Sequence, residues 1–142
     1  MGHYRVIEEV ALADCAFDLE GDDLNDLFAT AARALAELMV DPDTLPLTVT
    51  RSVALSADTL DLLFYDWLAE LIFRKDRDGE VFPRARLDVR EGAPASLTAA
   101  LEGGVIDPAR TGLRADAKAV TFHQFRLERA AGGWRARVVI DI

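Results

Sequence analysis

Between residues 57 and 73, Leu60, Leu63, Phe64, Trp67, Leu68, Leu71 and Ile72 recur at steps of three and four, and this pattern limits the fold more tightly than any other. Such a period lays a broad apolar stripe along one side of an α-helix, too wide to be left in water. Ser56 or Asp58 can open the helix, while Arg74, Lys75 and Arg77 complement its negative end before Gly79. A chain of 142 residues can surround such a helix with one substantial core, so residues 1–142 are read as a single domain.

A second helix is expected from Asp22 or Asp23, with Leu24, Leu27, Phe28, Ala31, Leu35, Leu38 and Met39 on one face and Asp41-Pro42-Asp43 as its stop. Strands are expected at residues 4–10, 15–20, 47–55 and 96–102. After Gly79, Val81, Pro83, Ala85, Leu87 and Val89 alternate with polar or larger neighbours, the two-residue period of a half-exposed strand. Residues 103–116 carry Gly-Gly, Asp-Pro and Thr-Gly and read as a loop. Residues 117–129 and 134–142, joined by Ala130-Ala131-Gly132-Gly133, read as a closing β-hairpin. Trp134, Ala136, Val138 and Ile140 then share one face, leaving Val139 and Asp141 on the other. The expected class is α+β, with mixed or antiparallel sheet layers packed on two main helices.

Charge narrows the function. The first 50 residues hold eleven acids against Arg5 and Arg33, whereas the remainder balances at fourteen of each sign. Nucleic-acid binding draws on cations placed against phosphates, so direct binding of RNA is not expected, and a basic protein partner suits this balance better. No signal peptide or membrane span is read in the sequence, and Cys15 as the lone cysteine allows no internal disulfide, so a cytoplasmic location is expected.

No phosphate-cradling, dinucleotide-binding, Cys-x-x-Cys or His-Glu-x-x-His motif is present. Cys15, flanked by Asp14 and apolar residues, reads as a structural cysteine and not as a nucleophile. Asp141 is followed by Ile142, which brings a side-chain carboxylate close to the terminal one on a strand end. A further acid such as Asp14 would complete an oxygen-rich site for a hard cation, the alternative being simple solvation.

Lys118-Ala119-Val120-Thr121-Phe122-His123 and the closing run Trp134-Arg135-Ala136-Arg137-Val138-Val139-Ile140-Asp141-Ile142 resemble the C-terminal signature of the archease family. Asp14 before a short strand, Asp23-Leu24 at the helix entry, and Leu62-Leu63 with Asp66-Trp67-Leu68 also have counterparts there, so the likeness spans the chain. One departure is Ala11-Leu12-Ala13-Asp14, where the family usually has His-Thr-Ala-Asp. The resemblance implies a non-catalytic accessory protein that promotes guanylylation and repeated turnover of the RNA ligase RtcB in tRNA splicing and RNA repair. It also implies a divalent metal site, for calcium or alternatively magnesium or manganese, built from Asp14, Asp141 and Ile142. Lys118 and His123 are further candidates for the functional surface, although strand alternation sets them on opposite faces unless a bulge intervenes. Two other readings are a stand-alone metal-dependent phosphohydrolase or transferase and a chaperone-like scaffold for nucleic-acid enzymes.

Overall fold

The computed structural model describes residues 1–7 and 14–142 of the chain. The described residues form, in order, β1 (His3–Ile7), β2 (Asp14–Gly21), α1 (Leu24–Met39), a short 3-10 turn (Pro42–Thr44), β3 (Val49–Ala57), α2 (Leu60–Asp78), β4 (Glu80–Arg90), β5 (Ala95–Val105), β6 (Ala119–Ala130) and β7 (Gly133–Asp141). The strands make two sheets, ordered β1-β2-β7-β6 and β3-β5-β4. Every pairing between these strands is antiparallel, which settles the choice left open between mixed and antiparallel layers.

Local chemistry sets the helix limits. Asp23 caps α1, its Oδ1 accepting from the Asp26 N–H at 2.8 Å. Thr59 caps α2, accepting from the Leu62 N–H at 3.2 Å, so that helix begins at Leu60 and Ala57 belongs to β3. At its other end α2 runs beyond the expected residue 73, through the charged turn ending at Asp78. It stops at Gly79, whose φ of 67° lies in the left-handed region where glycine carries no side-chain penalty.

Each helix touches strands of both sheets, so the helices join the two sheets into one continuous core. Trp67 lies fully buried at its centre, donating its indole N–H to the Phe28 carbonyl at 2.9 Å and thereby linking α2 to α1. Phe28 and Phe64 meet edge to face at 5.0 Å beside it. Cys15 is buried, as its apolar neighbours implied.

The stretch read as a loop is shorter than expected, because Gly103, Gly104 and Val105 complete β5. Gly103 allows this extension: a Cβ there would stand 2.0 Å from the Val81 carbonyl oxygen on β4. Beyond it, the Thr111 N–H donates to the Asp107 carbonyl at 2.7 Å and the Arg114 N–H to the Met39 carbonyl at 2.8 Å, so local and helix-end carbonyls hold this segment. Lys75 anchors the approach to β6, bonding Asp116 and donating to the Ala117 carbonyl at 2.8 Å. Burial alone would lower the Lys75 pKa, but the carboxylates of Asp116 and Asp76 outweigh it and hold the ammonium charged. The expected first strand, residues 4–10, is seen through Ile7; its remainder and the Ala11-Leu12 departure lie outside the described residues.

Candidate functional site

In β2 the core takes Cys15, Phe17 and Leu19, so Asp14, Ala16, Asp18 and Glu20 occupy the opposite face. β7 follows the same rule, with Ala136, Val138 and Ile140 inward and Arg135, Arg137, Val139 and Asp141 outward. Val139 is nevertheless fully buried, although it stands outside the continuous core.

The β2–β7 register aligns these outer residues in pairs: Asp14 with Asp141, Ala16 with Val139, Asp18 with Arg137, and Glu20 with Arg135. Asp18 receives Arg137 at 2.7 and 2.9 Å and Arg5 from β1 at 3.1 Å. The Arg137 bonds, opposed by partial burial and reinforced by Arg5, hold the Asp18 carboxyl down at about 2.

Asp14 and Asp141 lack such compensation. They face each other directly, and among the described residues neither side chain has a hydrogen bond or ion pair. Directly opposed residues of an antiparallel pair have Cβ atoms roughly 5 Å apart, where like charges destabilise. On the far side of Asp141 lies Ala119, and the Lys118 N–H donates to the Asp141 carbonyl at 2.8 Å. One corner of the sheet thus gathers the start of β2, the Lys118 backbone, and Asp141 with Ile142. The Lys118 side chain itself is exposed.

His123 lies within a bulge of β6. Thr121 pairs with Val139 and Arg126 with Arg137, so β6 residues 122–125 stand opposite Val138 alone. The odd surplus of residues reverses the strand's alternation between Val120 and Leu127, and His123 lies inside this irregular stretch, where alternation does not relate its face to that of Lys118. Gln124 takes the strained position of the bulge with φ at 54°, and its side-chain amide oxygen Oε1 accepts from Arg137 at 3.3 Å. His123 is exposed and forms no side-chain bond among the described residues.

The bulge also creates an aromatic step that the sequence reading did not single out. Phe122 stacks on Tyr65 of α2 at 4.4 Å with the rings 5° from parallel, while Phe125 meets both Phe122 and Phe64. A signal for it exists in the sequence: the apolar positions of β6 jump from even numbers, Val120 and Phe122, to odd ones, Phe125 and Leu127.

Among the described residues, no group of three or more His, Cys, Asp or Glu side chains is placed to hold a metal ion. The Asp14–Asp141 pair offers carboxylate oxygens, which suit a hard cation, and among the described residues main-chain oxygens such as those of Ile142 could add to them.

Comparison with known proteins matches residues 4–142 to the Archease protein family (MTH1598/TM1083). The protein archease of Methanosarcina mazei is 32% identical over 141 residues, covering 98% of this chain and 95% of that protein. The archease of Archaeoglobus fulgidus is 30% identical, covering 98% of both. The solution structure of Methanobacterium thermoautotrophicum protein 1598 superposes with a TM-score of 0.79 at 29% identity, covering 98% of each chain. The crystal structure of a Thermotoga maritima archease, described as a possible chaperone, shares the fold with a TM-score of 0.68 at 20% identity, covering 97% of this chain and 98% of that one. The fold, the C-terminal signature and these matches agree, and the chain belongs to the archease family.

Proposed function

We propose that this protein is an accessory factor of an RtcB-type RNA ligase, promoting guanylylation and multiple turnover of that enzyme while contributing no bond chemistry of its own. The observation that supports this reading is the direct opposition of Asp14 and Asp141, beside the Lys118 backbone and Ile142. Asp14, Asp141 and Ile142 are the residues on which the resemblance places a divalent ion, and repulsion between the two aspartates gives a physical reason for a cation between them. Asp14 and Asp141 would supply carboxylate oxygens and Ile142 a main-chain oxygen. When bound, a calcium, magnesium or manganese ion would offer a hard Lewis acid at the surface, suited to oxygen-rich phosphate chemistry in a partner's site.

The family's usual His-Thr stands as Ala11-Leu12 in this chain, so the proposed ion site relies on the aspartates without that histidine. The location that fits this function is the cytoplasm; no helix among the described residues is long and apolar enough to cross a membrane.

The test is ligation under multiple-turnover conditions with a purified RtcB-type ligase, GTP and divalent metal. Added wild-type protein should raise the number of products per ligase, and Asp14→Ala or Asp141→Ala should remove the increase while leaving the thermal unfolding transition intact. Phosphohydrolase activity in the absence of ligase would replace this reading with the stand-alone enzyme. Stimulation that survives loss of both aspartates would leave a scaffold without a metal role.

A further inference from the structure

The acids of the N-terminal 50 residues gave the first reason to expect a basic partner, yet most of those described are occupied within the fold. Asp18 holds Arg5 and Arg137, Asp22 the N-terminal amine, Glu20 lies against His3, Glu37 binds Tyr4, and Asp26 takes the backbone N–H groups of Gly2 and Asp22. The exposed acids without ion pairs include Asp58, Asp61 and Asp66, at and near the start of α2.

The same stretch of chain carries exposed apolar surface. Leu62 is 39% exposed and Phe122 55% exposed, with Phe122 lying flat on half-buried Tyr65. Helical spacing sets Asp61 one turn before Tyr65 and Asp66 one turn after Leu62. Asp58 and Asp61 have a structural reason to be here, since carboxylates favour a helix N-terminus. Asp66 lies beyond the first turn, and an exposed phenyl ring on an edge strand gains little from water. Phe122 also belongs to the Lys118–His123 motif, but it packs toward α2, on the face of the sheet opposite to the one that carries Asp141.

Charge selects the occupant. An exposed aromatic step can stack a nucleobase, but three uncompensated carboxylates would repel the phosphates that come with it. A second copy of this chain in a symmetric contact would bring the same three acids face to face. A guanidinium satisfies both features, lying over the aromatic face while its N–H groups reach carboxylates at the rim.

We propose that the Leu62–Tyr65–Phe122 surface, bordered by Asp58, Asp61 and Asp66, is the docking site for a basic patch of a partner protein, with an arginine seated on Phe122. Identifying that partner as the RNA ligase rests on the function proposed above.

The test measures affinity of the full-length chain for a purified RtcB-type ligase, between about 50 and about 200 mM salt, in parallel with multiple-turnover ligation. Phe122→Ala should weaken binding by roughly tenfold or more, and Phe122→Leu by less, because it keeps apolar contact but loses the π face. The Asp61→Asn/Asp66→Asn double variant should weaken binding at low salt and flatten its salt dependence. All three positions are exposed, and unchanged thermal unfolding would separate docking from folding. If wild type binds and stimulates the ligase and these variants do so equally well, the docking site is wrong while the ligase reading stands. If wild type neither binds nor stimulates, the ligase reading fails and takes this partner with it. Dimers dissolved by Phe122→Ala, or single-stranded RNA bound by wild type and released by that substitution, would overturn the assignment in favour of self-association or base stacking.

Discussion

Asp14 and Asp141 are direct cross-strand partners, although almost the whole chain separates them. Repulsion between them makes a specific prediction for the ion-free protein. Asp141→Asn should raise its stability by about 0.2–1 kcal/mol, seen as a higher denaturation midpoint in chelator. Added calcium should then stabilise wild type and leave the variant unmoved. Equal calcium shifts in both proteins would place the ion elsewhere.

The Asp18–Arg137 pair carries a pH dependence. Because Asp18 titrates at about 2 in the folded protein, below the 3.8 of an ordinary aspartate, its contribution is present above the ordinary value and is lost as pH falls toward 2. Wild type should therefore lose stability between about pH 4 and about pH 2. Arg137→Ala should be less stable at neutral pH and should lose less across that window. Chemical denaturation at three pH values would check both points.

Trp67 should be the least replaceable core residue. It is fully buried and its N–H satisfies the Phe28 carbonyl, so Trp67→Ala forfeits a large volume and a bond between the helices. The expected cost is about 3–5 kcal/mol, a large share of the stability of a domain this size. Trp67→Phe, which refills part of the space, should cost less. Urea midpoints would order the two variants.

The bulge in β6 depends on a residue that tolerates positive φ. Gln124, with φ at 54°, should be replaceable by glycine at little cost or with a gain, whereas Gln124→Val should destabilise by about 1–2 kcal/mol. Loss of the Phe122–Tyr65 stack in the valine variant should appear as altered near-ultraviolet circular dichroism.

Much of the architecture was legible because burial writes itself into local periods. The stripe from Leu63 to Ile72 became the buried side of α2, and the alternation in the last run placed Ala136, Val138 and Ile140 inward with Asp141 outward. Helix ends were less legible: Thr59 caps α2 where Ser56 or Asp58 was expected, because the strand before it continues through Ala57. The crowding of carboxylates at Asp141 and Ile142 was legible as a candidate cation site, but the assignment of Asp14 to it rested on resemblance, since nothing in the spacing of two aspartates so far apart in sequence encodes their meeting.

By itself, then, the sequence determined which faces of the helices and strands would be buried, where α1 and the hairpin would begin and turn, and to which family the chain could be likened. Tertiary structure decided that β2 lies beside β7 in the register that opposes Asp14 to Asp141, and that the bulge turns Phe122 onto Tyr65. The reason is range: periodicity records each residue's exchange of water for core, while strand register is fixed by the best joint packing of segments more than a hundred residues apart.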